Sequence, residues 1–115
     1  TQTFSKRMHR HGIGYGYYYS MGSNFYFDVR AMKVQNSSLL PGQVRVTQEQ
    51  FEAISLAQVA ELWSNYGPLT EIWFDGGYQP EVKARLIEML RQMQANATAF
   101  NGRGITPNTA CWVRT

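Results

Sequence analysis

The sequence of 115 residues contains one cysteine, Cys111, and no long apolar run. A single thiol excludes an internal disulfide framework and any zinc site built from several cysteines. No stretch approaches the roughly 18 consecutive apolar residues of a membrane-spanning helix, so we expect no membrane anchor. The first eleven residues also lack the apolar region of a secretory signal peptide, and none is expected within this sequence.

Charged side chains are also scarce, whereas aromatic ones are abundant. Asp, Glu, Lys and Arg make up 17% of the sequence, below the roughly 25% of typical soluble proteins, and aromatic residues make up 14%. The formal net charge is +3, but the Lys and Arg residues are scattered and no RNA-binding motif accompanies the tyrosines. This composition predicts a buried core in a chain long enough for one domain at most, and it disfavours nucleic-acid binding.

Helix signals occur in three places. Residues 4–10 have the pattern of a helix that ends before Gly12, a residue suited to the left-handed conformation. Thr47 and Gln50 have the spacing of a capping box and begin a helix of about five turns that ends at Gly67. Pro80 suits the first turn of a third helix with an apolar stripe. The apolar positions of the last two helices are Phe51, Ile54, Val59, Leu62, Trp63, Tyr66, Val82, Leu86, Met89, Leu90 and Met93.

Strand patterns alternate with these helices at residues 13–19, 70–74 and 98–101. The first contains alternating glycines, at which a neighbouring strand can pack closely. Residues 20–46 form a long segment without clear periodicity, which is typical of functional or mobile loops. The order helix, strand, loop, helix, strand, helix, strand predicts an α/β fold in which about three consecutive strands are parallel.

Asp75 stands at the end of a predicted strand, where reacting groups gather in α/β folds. Two glycines follow it and leave room for a ligand, although an aspartate here could also cap the next helix or start a turn. Glu71 is not its partner, because four residues of strand separate the two by about 13 Å, beyond the roughly 5–9.5 Å of glycosidase pairs. Glu81 and Glu88 belong to the polar face of the following helix. The chain therefore has one suitable carboxylate where acid–base chemistry needs two.

Further side chains could face the same pocket as Asp75. Arg103 lies between two glycines after the last strand, and its guanidinium could bind sugar hydroxyls or remain in solvent. Trp73 shares the strand face of Asp75, so it forms either a pocket wall or part of the core. One of Tyr18 and Tyr19 must point inward, and the sequence does not decide which.

Several blocks of this sequence resemble a known enzyme family. Residues 63–77 (WSNYGPLTEIWFDGG), with HGIGYGYYYS before them and AFNGRG and CWVRT after them, are similar to the α-L-fucosidases. These enzymes are retaining glycoside hydrolases built on a (β/α)8-like barrel. The matches follow the family's order along the chain, and the WFDGG block is the most specific of them.

The resemblance implies a role for each candidate residue. Asp75 matches the catalytic nucleophile, which attacks the anomeric carbon of a terminal α-L-fucose and forms a covalent glycosyl-enzyme. Trp73 matches a residue beside the nucleophile, Arg103 an arginine of the fucose pocket, and Tyr19, or alternatively Tyr18, a tyrosine that lines it. The implied substrate is a fucosylated oligosaccharide or glycoprotein, and this mechanism needs neither a cofactor nor a metal.

The same resemblance implies that residues 1–115 form part of a TIM-like barrel, with about three of its eight strands. Residues 112–115 resemble the motif that precedes the family's acid–base glutamate, with Arg114 in place of a glycine, and we expect that glutamate just beyond Thr115. These residues alone would then be inactive. A secreted, vacuolar or lysosomal location fits the family, and the glycosylation sequons at Asn36 and Asn96 are compatible with it. The alternative is a non-catalytic carbohydrate-binding or interaction module derived from the same barrel.

Overall fold

Helices and parallel strands alternate along the chain, which confirms the predicted α/β class. The computed structural model describes residues 1–75, 77–101 and 104–110. The helices are α1 (Gln2–Arg10), α2 (Gln48–Ser64) and α3 (Lys83–Met93), and a 3₁₀ turn at Pro80–Val82 precedes the third. The strands are β1 (Gly16–Ser20), β2 (Val29–Arg30), β3 (Lys33–Val34), β4 (Glu71–Asp75), β5 (Thr98–Phe100) and β6 (Thr109–Ala110). None of the helices in these ranges is long and apolar enough to cross a lipid bilayer.

Four parallel strands form one sheet in the order β1–β4–β5–β6. The three predicted strands are its first three members, although β1 begins three residues later than predicted and β4 one residue later. Gly16 on β1 lies opposite Glu71 on β4, and a Cβ atom at residue 16 would stand 2.1 Å from the Glu71 carbonyl oxygen. Only glycine fits there, so this position serves the close strand approach that the sequence predicts.

The fourth strand and a small hairpin are absent from the sequence prediction. β6 pairs with β5, and β2 pairs with β3 in an antiparallel hairpin within residues 20–46. Each of β2, β3 and β6 has two residues, too few for an alternation of polar and apolar side chains to show in the sequence. The segment predicted as one long irregular loop therefore contains a hairpin.

The helix boundaries follow the local signals. The N–H of Gln50 donates to Thr47 Oγ1 (3.1 Å) and the N–H of Thr47 donates to the Gln50 side chain (2.8 Å), which confirms the capping box. Gly12 after α1 has a φ of +64°, in the left-handed region, as predicted. The second helix ends at Ser64, three residues before the predicted end.

The hydrophobic core lies between the sheet and the helices α2 and α3. Ile72 and Phe74 of β4 are 1% and 0% exposed, and Trp63 of α2 packs edge-on against Phe74 with ring centroids 5.9 Å apart. Tyr66, one of the apolar positions predicted for the second helix, follows the end of α2 and is only half-buried. Its hydroxyl donates to Glu61 (3.0 Å). The two helices contribute further buried side chains: Leu56, Val59, Leu86 and Leu90.

Polar contacts hold the segment of residues 21–46 in place. The buried carboxylate of Asp28 accepts a hydrogen bond from the Ser37 hydroxyl and pairs with the Arg30 guanidinium at 3.6 Å. The Arg45 guanidinium donates to the backbone oxygens of Gln35 (2.7 Å) and Ser37 (2.5 Å). Charge-assisted bonds of this kind are stronger than neutral ones, so they stabilise a defined path for this segment.

Candidate active site

Strands β1 and β4 end side by side, and their last residues form the centre of the candidate site. In their register Ser20 lies opposite Asp75, and Tyr18 lies opposite Trp73. Because side chains on a strand alternate between two faces, these four side chains share one face of the sheet. The core occupies the other face, whereas Tyr18 is 57% exposed. The candidate residues therefore meet on the open side of the sheet, at the carboxyl ends of its strands.

The side chains of Tyr18 and Asp75 are joined directly. The Tyr18 hydroxyl donates a hydrogen bond to Asp75 Oδ2 at 2.5 Å, within the range of short, charge-assisted O–H···O⁻ bonds. This bond raises the pKa of Tyr18 above its usual value of 10.0, and partial loss of hydration and the charge of Asp75 act in the same direction. At neutral pH the phenol therefore stays protonated, and it orients one oxygen of the carboxylate.

A row of aromatic rings crosses the same face beside Asp75. The ring centroids of Tyr18 and Trp73 are 6.3 Å apart, and those of Trp73 and Phe100 are 4.4 Å apart. The row spans three adjacent strands, because the register pairs Tyr18 with Trp73 and Trp73 with Phe100. Aromatic side chains commonly line small-molecule sites, and their flat apolar faces suit a cyclic ligand. The row forms an apolar surface on the sheet face beside Asp75.

A cavity of about 600 Å³ opens at the ends of β1 and β4. Tyr18 and Asp75 line it from the sheet, and Gly22, Ala31 and Met32 line it from the segment that follows β1. This volume lies within the roughly 300–1,000 Å³ of typical small-molecule sites. The Asp75 carboxylate is thus exposed to a space large enough for a ligand, as a nucleophile or base requires.

The other predicted carboxylates do not join Asp75 in this cavity. Glu71, at the start of β4, lines a separate recess of about 180 Å³ on the same sheet face. Glu81 and Glu88 are exposed at or near α3, as expected. Within the described residues, no group of three His, Cys, Asp or Glu side chains is arranged to hold a metal ion.

The family model of α-L-fucosidase matches residues 1–110 of this chain. The chain belongs to the α-L-fucosidase family. Two solved structures of Bacteroides thetaiotaomicron proteins, both named as α-L-fucosidases, share its fold. One has a TM-score of 0.66, with 23% identity over 85% of this chain. The other has a TM-score of 0.64, with 20% identity over 94% of this chain. The chain spans 22% of the length of each, and no curated protein matches it.

Three of the residues that the sequence assigns to the fucosidase site come together: Tyr18, Trp73 and Asp75. Tyr19 does not join them, because it lies on the opposite face of the sheet, where its hydroxyl donates to Gln58 of α2 at 2.7 Å. Burial there raises the pKa of Tyr19. The structure thus places Tyr18, and not Tyr19, beside Asp75.

The capping alternative for Asp75 is wrong. The N-cap position of the next helical segment, a 3₁₀ turn, is occupied by Gln79, whose side chain makes no capping hydrogen bond. The Asp75 side chain instead accepts a hydrogen bond from the Tyr18 hydroxyl. A backbone turn does follow the strand, since the N–H of Gly77 donates to the Phe74 oxygen (3.1 Å).

Some predicted positions lie outside the described residues, and some site residues have no sequence signal. Arg103 and residues 111–115 are outside the described ranges, so their roles stay predictions. Ala31 and Met32, which line the cavity, are absent from the sequence-based site because neither residue type has a typical role in glycosidase chemistry and their turn lacks Asn and Gly.

Proposed function

We propose that this chain carries the nucleophile of an α-L-fucosidase that acts by a retaining mechanism. The observation that carries the proposal is the position of the Asp75 carboxylate, which lies exposed in an open cavity at the carboxyl end of β4. The hydrogen bond from Tyr18 orients this carboxylate. Membership of the α-L-fucosidase family supports it. The substrate class is a fucosylated oligosaccharide or glycoprotein, cleaved at a terminal α-L-fucose.

In the first step an oxygen of Asp75 attacks the anomeric carbon of the fucose as the bond to the leaving group breaks, and a covalent glycosyl-enzyme forms. Tyr18 holds Oδ2, and within the described residues no other side-chain hydrogen bond is formed by the Asp75 carboxylate, so Oδ1 is available for the attack. Trp73 and Phe100 supply an apolar surface beside Asp75 against which one face of the sugar ring packs. In the second step water gives a proton to the acid–base group of the longer chain and attacks the same carbon. The bond to Asp75 breaks, which releases fucose with retained configuration and restores the carboxylate.

The second carboxylate of this mechanism comes from a segment after Thr115 in our proposal. Retaining glycosidases place their two carboxyl groups about 5–5.5 Å apart. Glu71, Glu81 and Glu88 do not line the cavity of Asp75, so none of them suits this role. Residues 1–115 are accordingly proposed to be part of a (β/α)8 barrel whose remaining strands complete the site.

The decisive experiment compares variants of the longer chain that carries these residues. Asp75→Gly is expected to lower kcat on an aryl α-L-fucoside by roughly 10³-fold or more, because the covalent step is lost. Glu71→Gln, on the same strand and face but outside the cavity, is the matched control and should retain activity. Wild-type turnover by Asp75→Gly would remove the nucleophile from the mechanism. Binding of fucosides without any turnover by the wild type would instead indicate a carbohydrate-binding module.

A further inference from the structure

The hairpin of β2 and β3 ends in a two-residue turn beside the candidate site. Arg30 pairs with Lys33, so Ala31 and Met32 are the central residues of this turn. Their φ angles are +48° and +67°, which matches the left-handed backbone of a type I′ turn. Such turns favour Asn and Gly, because a larger side chain strains a left-handed backbone. Strained residues of this kind cluster at ligand sites, where the surrounding structure holds them.

Three hydrogen bonds fix this turn to its surroundings. The N–H of Met32 donates to the Gly22 oxygen (2.9 Å), just beyond the end of β1. The side-chain amide of Gln48 donates to the Met32 oxygen (3.1 Å) and accepts from the N–H of Val34 (2.9 Å). The same amide nitrogen also donates to Glu52 (2.9 Å), which orients it. Because Gln48 is the first residue of α2, the helix sets the position of Met32.

The turn and the ends of β1 and β4 line the same cavity. Ala31 and Met32 line the cavity of about 600 Å³ with Asp75, which is the last residue of β4. Tyr18 lines the same cavity, whereas Trp73 lies earlier on β4 and lines the neighbouring recess. A nucleophile attacks the anomeric carbon from the side opposite to the leaving group. A sugar with that carbon at Asp75 therefore projects its leaving group away from β4 and across the cavity, towards the part of the lining that the turn supplies.

We propose that the turn of Ala31 and Met32 binds the leaving-group side of the substrate, with Met32 as the residue that sets specificity and Gln48 as its positioning residue. This inference rests on the proposed function. The thioether side chain of Met32 is apolar and adaptable, so it suits the apolar face of a second sugar ring. When Asp75 bonds to the anomeric carbon, the bond to the leaving-group oxygen breaks and that oxygen takes a proton from the general acid of the longer chain.

The test compares two substrates that share the fucosyl group. α-L-Fucosyl fluoride has a single-atom leaving group, which does not reach Met32, whereas a fucosylated disaccharide has a second sugar ring that does. In the longer chain, Met32→Ala is expected to lower kcat/KM for the disaccharide about tenfold and to leave kcat/KM for the fluoride within about twofold. Gln48→Ala should give the same selective loss, because the turn is then no longer held.

Val44→Ala is the matched control, since Val44 is an exposed apolar residue of the same segment outside the cavity, and its kcat/KM values should not change. An equal loss with both substrates in Met32→Ala, or no loss with either, would overturn the inference alone. Absence of wild-type turnover with both substrates would overturn the proposed function and the inference with it. Should Met32→Ala not fold, Met32→Gln keeps the side-chain length, removes its apolar end and is expected to show the same selective loss.

Discussion

The hydrogen bond between Tyr18 and Asp75 determines which protonation state the phenol adopts in the candidate site. The carboxylate acceptor raises the pKa of Tyr18 above 10.0, so folding favours the neutral phenol. The hydrogen bond of the neutral phenol to Asp75 stabilises the folded state. This stabilisation is fully present below pH 10 and is lost as the pH rises through the raised pKa of Tyr18. Near neutral pH the phenol does not change its protonation state. Any pH dependence of activity in that range therefore has to come from other groups.

We expect Tyr18 to titrate above pH 10 in the folded protein and Asp75→Asn to move its pKa back towards 10.0, because the negative acceptor is removed. The absorbance of tyrosinate, measured as a difference between the wild type and Tyr18→Phe, isolates this phenol from the six other tyrosines. The same difference is then measured in the Asp75→Asn background. A wild-type pKa of Tyr18 at or below 10.0 would contradict the hydrogen bond to a carboxylate.

Elements with strong local signals could be predicted from the sequence, and those that depend on distant partners could not. The start of α2 follows from Thr47 and Gln50 alone, because a capping box needs residues only three positions apart. The choice between Tyr18 and Tyr19 depends on how β1 pairs with β4, which is a contact between distant parts of the chain. Asp75 was identifiable because its strand end carries a specific motif. Ala31 and Met32, which line the cavity, belong to a hairpin whose strands have two residues each. Such strands are too short to show an alternation of polar and apolar side chains in the sequence.

The capping box of α2 should stabilise the helix end that holds the site's hairpin. Thr47→Ala removes the oxygen that accepts from the N–H of Gln50, and loss of such a cap typically costs about 1 kcal/mol. Hydrogen exchange of the Gln50 amide is therefore expected to accelerate roughly fivefold when this end of the helix opens locally. Thr47→Ser keeps a hydroxyl at this position and should retain most of the protection. Unchanged exchange in Thr47→Ala would show that the side-chain bond does not stabilise the helix.

At the scale of the whole molecule, the sheet that the described residues form is open on one face and at both edges. Among the described residues, β1 pairs only with β4 and β6 pairs only with β5, so each has an edge without a neighbouring strand. Tyr18 on the open face is 57% exposed, and Phe25 in the segment after β1 is 69% exposed. A closed barrel removes strand edges and fills its interior with side chains. The open features agree with the proposal that further strands complete this fold.

We expect residues 1–115, expressed alone, to self-associate and to hydrolyse no fucoside. Unpaired strand edges are templates for pairing with another chain, and exposed apolar surface promotes association. Light scattering on a sizing column should give a mass above 13.2 kDa, and a hydrophobic dye should fluoresce more strongly than with the longer chain at equal concentration. Phe25→Ser removes one exposed apolar side chain without changing the strand edges. Weaker association in this variant would assign part of the effect to apolar surface. A monomer that binds no dye and cleaves an aryl fucoside would contradict the proposal, because these residues would then fold and act without the rest of the barrel.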